Sequence, residues 1–270
     1  MIGLLGRAGP VLLDAGLGTA LVGRGLALPA EDAISWSLSH AEAVSAVHRA
    51  HVAAGAELVL ANTFGARAPE EPELRAALAL ARASGAAHVA VPLWPGLPAP
   101  SLARAVEGAA RAGAELIWLE TAIQAGDAEQ ALRLARDHSP LPIAVTLALA
   151  SFPSRQQTRA VEELCDLLAA LAANGAAVVG LNCGPWDLPA GLGVDLPALV
   201  AQLAPEIPAA FALKPDAGTR PPESWAGVLA ECASAGARWL GGCCGTDARH
   251  LQLLRDRCPR APRSAPPQPT

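Results

Sequence analysis

Three cysteines carry the strongest chemical signal in the chain. Cys183 sits in GLNCGP (180–185), and Cys243 and Cys244 are adjacent in GGCCGT (241–246). Soft thiolates select Zn²⁺ over Mg²⁺ or Ca²⁺. Three protein ligands leave one tetrahedral position open, the pattern of catalytic rather than structural zinc. Zinc held by three thiolates carries a net charge of about −1 and is a poor Lewis acid toward water. It still binds a fourth thiol and keeps it deprotonated at neutral pH, where a free thiol of pKa ~8.5 is mostly protonated. The expected chemistry is a substrate thiolate attacking an electrophilic carbon. Two other readings compete with this one. Cysteine is common in cores, and Cys165, Cys232 and Cys258 are read that way. A Cys243–Cys244 disulfide would be strained and needs an oxidising compartment.

Polar residues interrupt apolar runs elsewhere: Asp14 in LLDAGLGT, Asn62 in LANTFGA, Glu120 in WLETA, Asn182 beside Cys183, and Lys214 in LKPDAG. A carboxylate in such a place either caps a helix or pairs with a cation, or it binds the ammonium group of an amino-acid substrate. Position alone leaves Asp14 and Glu120 open between these. Gly16 and Gly18 let backbone amides approach a substrate carboxylate. Lys214 reads as a substrate contact or a structural ion pair, not a general base. His48 and His51, in a helical stretch before Gly55, are assigned to the surface or to helix packing.

The elements that must position these groups alternate. Strands are expected at Val11–Ala15, Leu58–Asn62, His88–Leu93, Leu116–Glu120, Ile143–Leu147, Ala177–Asn182, Ala209–Lys214 and Arg238–Gly242. Several are apolar without alternation, as in parallel strands covered on both faces. Helical patterns separate them at Ala41–Ala53, Pro72–Ser84, Leu102–Ala112, Ala128–Asp137, Thr158–Ala173 and Pro222–Ala235, and Leu93–Pro100 reads as an irregular Pro-rich loop. Ser39 and Glu42 suggest a capping box, and Gly55, Gly113, Gly175 and Gly236 are placed to end helices. The Gly-Ala step before a strand recurs four times, which marks a repeated unit. Eight strands alternating with helices predict an α/β fold, a single-domain (β/α)8 TIM barrel over residues 1–258 followed by a disordered Pro-rich tail, 259–270. An open dinucleotide-binding sheet is disfavoured because Gly16-Leu17-Gly18 lacks the third glycine of that turn. In a barrel the polar strand ends converge on one mouth, and strands six and eight are separated by one neighbour.

Composition agrees with a core-rich globular chain: 270 residues, 52% hydrophobic and 17% charged. A net charge of −5 argues against nucleic-acid or anionic-membrane partners. No signal peptide or membrane span is read from the N-terminus, so a cytoplasmic location is expected, where clustered cysteines mean metal or catalysis more often than disulfides.

Taken together, DAGLGTAL (14–21), ANTFGA (61–66), LET (119–121), GLNCGP (180–185), KPDAG (214–218) and GGCCGT (241–246) resemble the homocysteine S-methyltransferase family, in the family's order and over nearly the whole chain. The resemblance implies a zinc-dependent (β/α)8 barrel that methylates the sulfur of L-homocysteine to give methionine. It implies zinc on Cys183, Cys243 and Cys244, the homocysteine ammonium near Asp14 and Glu120, and Thr19 with the glycines of DAGLGT beside the substrate. Asn62 and Asn182, in two of the matching motifs, join the expected substrate contacts. Ala15 and Leu17 depart from the usual first motif, and His51 stands where the family often has Tyr.

Within that family the methyl donor can be S-methylmethionine or S-adenosylmethionine, betaine, or a methylated corrinoid. The chain ends soon after Cys244 and has no Tyr for an aromatic cage around a quaternary ammonium, so a sulfonium donor is expected. The alternatives are betaine, methyl delivery by a separate corrinoid protein, a selenocysteine or other thiol acceptor, and a non-catalytic zinc-binding regulatory barrel.

Overall fold

The computed structural model describes residues 1–7, 9–148, 157–184 and 195–258; the Pro-rich tail expected at 259–270 lies outside the described residues. Apolar runs form eight parallel strands: β1 Val11–Leu12, β2 Leu58–Leu60, β3 His88–Leu93, β4 Leu116–Ala122, β5 Ile143–Ala148, β6 Val178–Asn182, β7 Ala210–Lys214 and β8 Trp239–Leu240. Their order in the sheet is β1-β8-β7-β6-β5-β4-β3-β2, and a Leu13–Leu58 bridge joins the two ends. This is the nearly closed (β/α)8 barrel the alternation predicts. Strands β1 and β8 are shorter than expected because their last residues turn into the mouth. The Gly241 amide donates to Leu213 O and the Gly242 amide to Asp14 O, so the ladder hydrogen bonds continue past the regular strands.

The helices are α1 Ile2–Leu5, α2 Leu17–Val22, α3 Trp36–Ser39, α4 Ala41–Ala54, α5 Glu71–Ala83, α6 Ala99–Arg111, α7 Ala125–His138, α8 Gln157–Ala173, α9 Leu196–Leu203, α10 Pro222–Ser234 and α11 Ala248–Arg257. Four of them run into Gly55, Gly113, Gly175 and Gly236, all left-handed as their position requires. The Ser39–Glu42 capping box does not form. Ser39 lies inside the turn of α3, so its hydroxyl bonds back to Ser35 O, and His40 caps α4 without a side-chain bond. Capping boxes close α5 through Glu70 and Glu73, and α11 through Asp247 and His250. The loop expected at 93–100 is cut short by α6, which begins at Ala99 with Pro100 in its first turn.

Two apolar layers result. One fills the space between strands and helices and takes in buried Cys232 and Cys258, with half-buried Cys165 packed against it. The other plugs the barrel: Trp118 and Trp239 lie with ring centroids 6.0 Å apart, Ala90, Ala144 and Ala212 leave them room, and Leu4 of α1 closes the lower end. The Trp118 indole N–H donates to Thr146, so its one polar atom is satisfied in the interior. This plug is the floor on which the polar mouth rests.

Helix α4 carries an exception to apolar packing. His48 and His51 are both buried, and neither His48 ring nitrogen nor His51 Nδ1 has a hydrogen-bond partner among the described residues. Burial disfavours the imidazolium, and the pKa of each falls from 6.5 to about 4; the neighbouring Asp14 opposes this at His48, while Lys214 reinforces it at His51. Each ring therefore binds a proton more weakly folded than unfolded. The resulting stability is intact above pH 6.5 and is lost as pH falls through 4, on the order of 3 kcal/mol per histidine. With metal removed by a chelator, the melting temperature is expected to drop between pH 6.5 and 4, and His48→Phe should flatten that drop by about half. An equally steep acid limb in the variant would show that these rings do not govern it.

Candidate active site and metal centre

The mouth is built by backbone conformations that most residues avoid. Cys183 follows β6 with φ 46° and Gly184 continues at 127°, while the Cys183 amide donates to Lys214 O and the Gly184 amide to Asp216. This left-handed pair swings the Cys183 sulfur toward the loop after β8. Across the gap, Gly241 packs on the Leu13–Asp14 backbone and Gly242 lies under Thr246, so a Cβ at either would collide. The Cys243 amide donates to Pro215 O, and its carbonyl accepts from the Thr246 amide and hydroxyl. The sequence places the two cysteines side by side; these bonds aim both sulfurs the same way.

Cys183 and Cys243 each lie 4.0 Å, sulfur to sulfur, from Cys244, and all three sulfurs fall within 4.8 Å of one another. A tetrahedral ion with metal–sulfur bonds of about 2.3 Å needs ligand sulfurs about 3.8 Å apart. The donor set and its spacing therefore fit a single Zn²⁺. Left to protons alone, the three thiols titrate together. Cys183 is pushed up by its hydrogen bonds to Cys243 and Cys244, and Cys244 is pulled down to about 3 because Cys183 and then Cys243 hydrogen-bond to it. No disulfide links them.

Beside the sulfurs lies an acidic end. Asp14 and Glu120 are buried, and the ammonium of Lys214 stands between them, 3.3 Å from Asp14 Oδ1 and 3.0 Å from Glu120 Oε1. Lys214 rests 5.5 Å above the Trp118 ring, which couples the site to the barrel plug. Burial alone would lower its pKa; Glu120 and Asp14 outweigh that and keep it raised and charged. Burial pushes the Glu120 carboxyl up, with Lys214 opposing. Of the two readings open for Lys214, the structure shows the ion pair.

Asp14, Glu120, Lys214 and the three cysteines line one cavity of about 660 Å³. Gly16, Gly18 and Thr19 line it too, at the start of α2. A Cβ on Gly16 would strike the Cys243 carbonyl, whereas one on Gly18 would meet nothing, so only Gly16 is sterically required. Thr19 ties the two loops together, donating to Gly16 O and accepting from the Gly245 amide. Asn62 also lines the cavity, but its amide is engaged with Ala33 O and Ser37 and pins the segment before α3. Asn182 is not among the lining residues. It is fully buried, accepts from the Thr121 amide and donates to the Thr121 hydroxyl. That brace holds Thr121 at φ 64°, a costly conformation for a β-branched residue, directly after Glu120.

The outer wall escaped the sequence reading. Leu28, Glu31, Asp32, Phe64 and Arg67 line the cavity from the loops after β1 and β2. Arg67 pairs with Asp32 and with Glu73, bridging those loops. Phe64 lies within ANTFGA without standing out there, and no motif marks Leu28, Glu31, Asp32 or Arg67, which come from irregular loops. His48 and His51 are buried behind the acidic end rather than exposed.

The family description "Homocysteine S-methyltransferase" matches residues 11–92 and 101–258. No curated protein matches the chain. Among solved structures, the homocysteine methyltransferase MmuM from Escherichia coli is similar in its metallated form, with TM-score 0.74, 20% identity, and coverage of 93% of this chain and 97% of that one. Its apo form gives TM-score 0.72, 21% identity, and coverage of 93% and 97%. A putative lyase/mutase from Burkholderia cenocepacia J2315 shares the fold at TM-score 0.56 and 16% identity, covering 92% of this chain and 81% of that one. The two MmuM structures and the lyase/mutase speak to fold alone, whereas the family match runs through every strand of the barrel and all three clustered cysteines. The chain belongs to the homocysteine S-methyltransferase family.

Proposed function

We propose that the protein transfers a methyl group from a small sulfonium compound, S-methylmethionine or S-adenosylmethionine, to the thiol of L-homocysteine, forming methionine. The observation that carries this reading is the meeting of three sulfurs, within 4.8 Å of one another, and a buried acidic end in one cavity. Cys183, Cys243 and Cys244 would hold Zn²⁺, which supplies a bound substrate sulfur kept as thiolate at neutral pH. The acidic end receives the substrate ammonium and so orients the amino acid with its sulfur toward the cysteines. The methyl carbon then forms a bond to that sulfur while its bond to the donor sulfonium breaks, and the bonding electron pair leaves with the donor as a neutral thioether.

Support for a cationic donor comes from the outer wall, where Glu31 offers a carboxylate, Asp32 being paired with Arg67, and Leu28 and Phe64 offer apolar surface. The chain's own task in the transfer is to align the two sulfur centres and exclude water from the gap between them. Incubation of the zinc-loaded protein with homocysteine and each donor in turn should give methionine with a sulfonium donor. Methionine only with betaine, or only with a methylated corrinoid protein, would replace the donor assignment, and none with any donor would favour the non-catalytic reading.

Metal content checks the ligand set independently of activity. Cys183→Ser, Cys243→Ser and Cys244→Ser should each lower bound zinc from about one per chain by tenfold or more, because a hydroxyl is a poor substitute for a thiolate. Cys165→Ser, on α8, should leave zinc content unchanged. Near-stoichiometric zinc in all three site variants would rule the coordination out.

A further inference from the structure

The motif GGCCGT ends in a threonine that the metal reading leaves without a task. Thr246 is buried, and its hydroxyl donates to the Cys243 carbonyl at 2.6 Å and accepts from the Gly16 amide at 3.1 Å. These roles are fixed, because an amide only donates and a carbonyl only accepts. The Thr246 amide donates to the same Cys243 carbonyl at 3.1 Å and closes a turn in which Gly245 is left-handed at φ 76°. One hydroxyl thus joins the turn that carries both adjacent cysteines to Gly16, the N-cap of α2, across the seam between β8 and β1. Regular pairing at that seam stops after Val11–Trp239 and Leu12–Leu240. The flanking glycines fit this link: a Cβ on Gly242 would lie 2.1 Å from Thr246 Oγ1. Thr19 makes the reciprocal link, donating to Gly16 O in its own loop and accepting from the Gly245 amide of the other.

We propose that Thr246 is a positioning residue for the metal centre, setting through the Cys243 carbonyl where the Cys243 and Cys244 sulfurs stand relative to Cys183. The inference rests on these cysteines being the metal ligands and names the residue that orders two of them. Cys183 is anchored separately, by the bond from its amide to Lys214 O, so the spacing of the three sulfurs depends on how one loop is held against another. The Cys243 amide is fixed by Pro215 O, and Thr246 fixes the other side of that residue. Without the hydroxyl, the Gly16 amide loses its partner and the Cys243 carbonyl keeps only the Thr246 amide. The turn is then free to rotate, and sulfurs that the ion itself must gather bind it more weakly than sulfurs already ordered.

Zinc affinity by chelator competition, the absorption spectrum of Co²⁺-loaded protein, and the melting temperature of metal-free protein separate this role from a purely structural one. Thr246→Ala should raise the zinc dissociation constant about tenfold to a hundredfold, the usual effect of losing a partner behind a metal ligand, and should shift the Co²⁺ bands. Thr246→Ser keeps the hydroxyl and should restore the spectrum, with affinity within about threefold of the wild type. Thr63→Ala is the control, since buried Thr63 donates to Pro92 O from the loop after β2 at the same mouth. It should lower the melting temperature and leave zinc affinity and the Co²⁺ bands unchanged. Wild-type zinc affinity in Thr246→Ala, failure of Thr246→Ser to restore it, or an equal loss in Thr63→Ala would overturn the inference. If the void left by alanine prevents folding, Thr246→Val fills it while still lacking the hydroxyl, and the same outcomes decide. A wild type that binds neither ion would instead remove the metal centre, and the inference with it.

Discussion

Negative charge withheld from water is the constraint around which this barrel mouth is organised. Asp14 and Glu120 are buried at one side of the cavity, and three thiols crowd within 4.8 Å at the other. Two like charges about 4 Å apart repel by roughly 4 kcal/mol even at an effective dielectric of about 20. Three thiolates cannot share that space without a cation, so the cluster stays largely protonated unless a metal ion supplies that charge. The acidic side meets the same difficulty with Lys214, the one cation among the described residues at the deep end of the cavity; Arg67 serves Asp32 and Glu73 at the rim. Seating a lysine there sets requirements further down, because its ammonium needs the face of Trp118 and the indole needs Thr146. The polar mouth and the apolar plug are therefore one packed stack.

Sequence reading located the strand ends that carry chemistry because barrel topology sends every C-terminal strand end to one face, whatever the details. Cys183, Cys243, Cys244, Asp14 and Glu120 were legible for that reason. What each polar residue touches was not. Asn182 adjoins Cys183 in sequence, yet successive residues leaving a strand diverge; it turns to Thr121 while Cys183 turns to the other two cysteines. Asn62 reaches the cavity wall with its amide already engaged. The outer wall was invisible because Glu31, Asp32 and Arg67 come from irregular loops without periodicity. His48 and His51 read as ordinary helix residues; their burial follows from α4 packing against α2, α5 and α11, which no local pattern announces.

Backbone strain is confined to the same place. Among the described residues, only Thr121 and Cys183 adopt positive φ without being glycine. Thr121 lies near the end of β4 and Cys183 directly after β6, and each is held by bonds from another strand: Thr121 by Asn182, across β5, and Cys183 by the carbonyl of Lys214 on adjacent β7. Such conformations cost on the order of 1–3 kcal/mol and persist only where surroundings over-determine them. Asn182 and Lys214 are thus paired on adjacent strands and divide two tasks, since one braces the residue after Glu120 and the other braces a cysteine while neutralising Glu120. The strain is the local cost of aiming a carboxylate and a sulfur into one cavity.

The charge balance also bears on which methyl donor the site favours. On the proposed reading, a surplus of negative charge would attract a cationic donor to the outer wall and stabilise a sulfonium there, but would equally raise the energy of a thiolate opposite. When the methyl group moves between them, both charges disappear together. The field that would draw such a donor in would then lose its hold on the departing thioether at the moment of transfer, while the thiolate would gain relief from repulsion. A neutral donor would profit from only half of this arrangement. Lys214 moderates it: by offsetting one buried carboxylate it limits the repulsion felt by the thiolate to what the fold can hold, and it does so from a position too enclosed to compete for the donor.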